Sequence, residues 1–106
     1  MISTKFVKIA REVIKFVRDG GRLQRERLSN SKNQNRCPIG VVCLNHNLVG
    51  YGPALSFTNL TDEFIWGFDE SDDKTSETIN NKPDEDYQIG YKLGQQCQKR
   101  GWIDSE

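Results

Sequence analysis

PDEDYQIGYKLGQQCQKRG, residues 83–101, is the stretch on which the fold turns. It opens with Asp84-Glu85-Asp86 and closes with Lys99-Arg100 before Gly101, the order of charge and stop signal that a helix macrodipole favours. The pattern predicts a helix from about Pro83 to Arg100. Tyr87, Tyr91, Gly94 and Cys97 fall on one face, with Ile89 and Leu93 flanking it. Each interior glycine, Gly90 and Gly94, costs about 1 kcal/mol against alanine. Their i, i+4 spacing therefore predicts that another helix or a ring packs closely there.

Upstream, residues 54–69 also read as helical. Leu60, Phe64, Gly67 and Phe68 share a face, Ser56, Thr58 or Thr61 can cap, and Asp62-Glu63 suit a first turn. Gly50-Tyr51-Gly52-Pro53 reads as a turn before it. Residues 37–49, CPIGVVCLNHNLV, are ambiguous: Val41-Val42 favours a strand, whereas Pro38 suits the first position of a short helix. A buried helix from Pro38 to about His46 is preferred, and a strand at 39–44 is the alternative. Nearer the start, Ile2, Phe6, Ile9, Val13 and Phe16 recur at intervals of 4, 3, 4 and 3. That is one broad face of a helix. Lys8, Arg11, Lys15, Arg18 and Arg22 fall within about 80° on the opposite side. Ser3 or Thr4 can cap this helix and Gly20-Gly21 stop it.

The connections are polar. Residues 22–36 predict a basic loop with one helical turn at 22–28, and residues 69–86 an acidic one. The expected architecture is one domain, 1–106, with a basic helix and loop (1–36) and a helical body (37–106). It is an all-α bundle of three to four helices with two long charged loops. An α+β fold follows only if 39–44 is a strand.

The net charge of zero hides a split. Residues 1–36 hold ten basic and three acidic side chains, a net +7, and residues 37–106 hold five and twelve, a net −7. Such asymmetry marks either a polyanion-facing segment or a basic arm folded on an acidic body. The apolar fraction of 35% supports a modest core, and no run approaches the roughly 20 apolar residues of a membrane span. The opening Met-Ile-Ser-Thr-Lys lacks a secretory-signal pattern, and three cysteines at irregular spacing suit reduced thiols. A cytoplasmic protein is expected, with no membrane partner.

Four constellations could carry chemistry. Cys37, Cys43, His46 and Cys97 match zinc's ligand types but not its paired spacing, so buried thiols and no bound metal or cofactor are expected. A Cys43–His46 dyad lacks the context of a nucleophilic enzyme. Asp69, Glu70, Asp72 and Asp73 depart from the order of a calcium loop and read as a solvated patch. The basic set Lys8, Arg11, Lys15, Arg18, Arg22, Arg25, Arg27 and Arg36 could follow a phosphate backbone. Trp66 falls off the Leu60–Phe64–Phe68 stripe, as an exposed anchor for a partner would.

Cys37-Pro38-Ile39, Phe64-x-x-Gly67-Phe68-Asp69 and Tyr87-x-x-Gly90 with Gly94 together resemble a pattern in small uncharacterised phage and bacterial proteins. The likeness spans about residues 37–101. It implies a helical fold and a prokaryotic or viral cytosolic setting, with no activity attached.

These readings lead to a non-enzymatic interaction module whose basic face binds a polyanion, either nucleic acid or an acidic protein. One alternative is a protein–protein adaptor or inhibitor using the acidic loop 69–86, with Trp66, Asp69, Glu70, Asp72 and Asp73. A small metal or ligand site near Cys43 and His46 is the other. The partner is an unidentified protein or nucleic acid, and a homodimer is compatible with the split charge.

Overall fold

The structure, a computed structural model, describes residues 4–25, 36–71 and 84–103. Among them are five helices and no sheet: α1 (Thr4–Arg18), α2 (Pro38–His46), α3 (Tyr51–Thr58), α4 (Asp62–Asp69) and α5 (Glu85–Lys99). The fold is a small all-α domain. The apolar 39–44 run is helical, so the strand alternative does not hold.

α2 lies at the centre, with Pro38 through Cys43 all buried. Cys37 caps it, its Sγ accepting from the Gly40 N–H at 3.4 Å, and Pro38 takes the first turn, where no N–H is needed. Asn47, at φ 54°, ends it in the left-handed region. α1 contributes Ile9, Val13 and Phe16 to the core and stops at Gly20, φ 92°, where the Gly20 and Gly21 N–H groups bond back to Val17 and Phe16.

Three boundaries differ from expectation. The helical pattern over 54–69 is two helices, because Asn59 turns left-handed at φ 57° and the chain redirects through Leu60 and Thr61. The Gly50–Pro53 turn is correspondingly the start of α3, with Gly50 (φ 87°) as its cap. Helix count therefore exceeds the three to four expected. At the last helix, Asp84 is the cap rather than a helical residue, its carboxylate accepting from the Asp86 and Tyr87 N–H groups.

The most extensive contact between elements is α4 against α5. Three glycines explain it. A Cβ on Gly67 would overlap the Tyr87 carbonyl, one on Gly90 the Phe64 carbonyl, and one on Gly94 the Ser71 hydroxyl. The backbones of the two helices thus touch, as the Gly90–Gly94 spacing predicts. Phe64, Phe68 and Tyr87 fill the space beside this contact and are essentially inaccessible. Asp86, also buried, bonds the Thr61 N–H and hydroxyl through Oδ2, both at 2.9 Å, and Lys5 Nζ through Oδ1 at 3.0 Å. One carboxylate therefore joins α1, α4 and α5.

The expected helical turn at 22–28 is absent over its described part. Leu23 is instead extended and fully buried, bridged to Arg36 on one side and Ile103 on the other. The Leu23 N–H donates to the Trp102 carbonyl at 2.9 Å, and the Gln24 N–H to the Arg36 carbonyl at 2.9 Å. Residues 26–28 lie outside the described set.

Candidate basic interface

The basic residues divide into engaged and unengaged groups. Lys5 pairs with Asp86, and this hydrogen bond raises its pKa above the ordinary value. Lys8 donates to the Phe57 carbonyl at 2.8 Å and lies over the Phe57 ring at 4.7 Å. Arg25 is tied down most thoroughly. Its Nε donates to Ser71 Oγ at 3.0 Å and the Phe68 carbonyl at 3.3 Å, and its Nη2 donates to Gln98 Oε1 at 2.7 Å. Arg22 lies beyond the end of α1, not on its stripe, and has a contact of its own. Arg36 is half-buried beside the Leu23 bridge. Arg27 lies outside the described residues.

Arg11, Lys15 and Arg18 remain. All three are exposed, sit on one side of α1 and make no ion pair among the described residues. With Ile14 and Asp19 they line a shallow basic hollow of about 410 Å³. The stripe is thus three cations long, shorter than the eight candidates legible in the sequence.

The other candidates are placed as follows. Cys43 is buried, and its thiol donates to the Gly50 carbonyl at 3.3 Å. His46 turns instead to Glu12, with Nε2 2.8 Å from Oε1, and packs its ring 4.2 Å from that of Phe57. Asn45 Nδ2 binds the same Glu12 carboxylate at 3.1 Å. Burial pushes the Cys37 thiol up to about 11, the Cys97 thiol up to about 12, and the Cys43 thiol upward. These are protonated, apolar thiols at neutral pH. Among the described residues no group of three or more His, Cys, Asp or Glu side chains is placed to hold a metal. Asp69 and Glu70 end α4, while Asp72 and Asp73 lie outside the described residues. Trp66 is 51% exposed on the side of α4 away from Phe64 and Phe68.

Beside the basic stripe runs a feature no local pattern announces. α1 and α5 meet only sparsely, and between them lies an open groove of about 760 Å³. Phe6, Ala10 and Ile14 form its α1 wall. Ile89, Leu93 and Cys97 face them from α5, and Trp102 closes the end, under Arg100 at 5.3 Å from its ring.

No known family model, curated protein or solved structure matches the chain. No helix among the described residues is long and apolar enough to cross a membrane.

Proposed function

We propose that the protein is a non-enzymatic interaction module whose α1 face binds an anionic macromolecule. The observation that carries this reading is the exposed set of Arg11, Lys15 and Arg18, which make no ion pair among the described residues while neighbouring cations are satisfied internally. Displayed in register on one helix face, the three charges can meet anions without any backbone having to order first. The engaged His46 and the protonated thiols favour binding over nucleophilic chemistry.

Titration with labelled duplex DNA and with heparin tests it. Three neutralised phosphates give a slope of about −2.7 for log K against log salt on duplex DNA. Replacing Arg11, Lys15 and Arg18 together by Gln flattens that slope toward zero, without touching the core. Indifference to both polyanions at low salt, or an unchanged slope in the triple variant, removes the proposal. The exposure of Trp66 favours a second reading, an adaptor that docks through α4.

A further inference from the structure

The groove between α1 and α5 is held open rather than left over. Its two helices run in the same direction and are tied at both ends. Near their starts Lys5 Nζ meets Asp86 Oδ1 at 3.0 Å, and just past their ends the Leu23 N–H meets the Trp102 carbonyl at 2.9 Å. Between these ties the facing side chains do not close. Ile9 is wholly in the core and the buried Val13 lies at the groove's floor, whereas Phe6, Ala10 and Ile14, one turn apart from each other, stay partly exposed along the wall.

Among the described residues the rim is mostly basic. At about 100° per residue, Arg18 and Arg11 project roughly 40–60° beyond Ile14 on the solvent side. Ile14 itself lines both the groove and the basic hollow, so the two surfaces are continuous. Across the groove, Lys92 and Arg100 stand exposed on the α5 rim. Glu85, the acid on that rim, sits at the far end near Phe6 and has a contact of its own. From Glu85 to Arg100 the trough runs roughly 22 Å at 1.5 Å per residue, about four helical turns.

We infer that this groove receives an acidic amphipathic helix of a partner protein, its apolar face on Phe6, Ala10 and Ile14 above a floor of the buried Ile89 and Leu93, and its carboxylates on Arg11, Arg18, Lys92 and Arg100. This rests on the basic-face reading and names its ligand class. Nucleic acid would use the cations and leave the apolar trough empty. A helix with anchors at i, i+4 and i+7 fills both.

A labelled peptide of about four helical turns, with leucines on one face and glutamates on the other, is the probe. Its controls are the same peptide with lysine for glutamate, and duplex DNA. The acidic peptide binds at least about tenfold tighter than the basic one. Ala10→Gln, which fills the groove but lies outside the basic hollow, weakens the acidic peptide about tenfold and leaves DNA affinity within about twofold. Lys92→Glu, on an exposed site that the fold does not need, weakens the acidic peptide by a similar factor. Equal binding of both peptides, or no effect of either variant, overturns the inference. Binding to DNA but not to the acidic peptide also overturns it and leaves the basic face standing. Binding to neither removes both. A dimer in sedimentation that Ala10→Gln dissociates assigns the groove to a second copy and overturns it as well.

Discussion

On one side of α5, toward α4, Gly90 and Gly94 leave no side chain between the helices, and the backbones touch. On another side, toward α1, Ile89 and Leu93 stand with Phe6 and Ile14 opposite, and a trough opens. One helix thus makes a closed contact and an open one. What separates them is the size of the residues at the contact rather than overall hydrophobicity. Glycine brings axes close enough that no ligand fits, while larger side chains anchored to a core on only one flank hold a neighbour off. The closed face holds the fold together, and the open face is where a partner has room.

The largest test breaks the closed face. Gly90→Ala puts a Cβ into the Phe64 carbonyl and 2.8 Å from the Phe68 nitrogen, and backbone cannot rotate away as a side chain would. Denaturant unfolding should show a loss of about 3 kcal/mol, the upper end of overpacking costs. A variant as stable as the parent would mean that α4 and α5 are further apart than described.

An intermediate effect tests whether the trough has a dry floor. Cys97 lines it yet is fully covered, and burial pushes its thiol up to about 12. The unfolded thiol titrates near the ordinary value of 9.0. Between these values the unfolded state binds fewer protons, so stability is unaffected below about pH 9 and falls as pH rises above it. The slope is about 1.4 kcal/mol per pH unit for one such thiol. Cys37, pushed up to about 11, adds the same dependence over a narrower window. Unfolding free energies measured from pH 8 to 11 should show this decline. A flat profile, or rapid native-state alkylation of Cys97 at pH 9, means that water reaches the floor.

The smallest effect lies on the open face. Gln96 lines the trough, is exposed and makes no side-chain contact among those described, so Gln96→Ala should alter stability by less than about 0.5 kcal/mol in the same unfolding experiment. Placed nearly two helical turns from Gly90, it separates the two faces by the same substitution to alanine. A loss comparable to that of Gly90→Ala would erase the distinction.

The closed face is largely legible in the sequence. Two glycines four apart in an otherwise strong helix have few explanations other than close approach, and Phe64, Gly67 and Phe68 share the face that meets them. The break at Asn59 was less so, because a left-handed asparagine looks locally like any polar residue between helical stretches. The basic stripe was legible as a direction on α1 but not as a free surface. Whether Lys8 or Arg25 is available depends on Phe57, Phe68, Ser71 and Gln98, partners 43 to 73 residues away. The open face was not legible at all. Helical periodicity shows which side chains point between two helices, and only their separation shows whether anything is left over between them.

The tie between Lys5 and Asp86 joins groups 81 residues apart in sequence. At roughly 5–20 residues per second on a ribosome, several seconds pass between the emergence of the two. α1 is synthesised first of the described elements and can dock on α2 in the interval, but Phe6, Ala10 and Ile14 have no opposite wall until α5 follows. The order of synthesis thus leaves an unshielded apolar flank bordered by cations on the nascent chain. For that interval the apolar flank of α1 stands beside its cations with no helix yet opposite it.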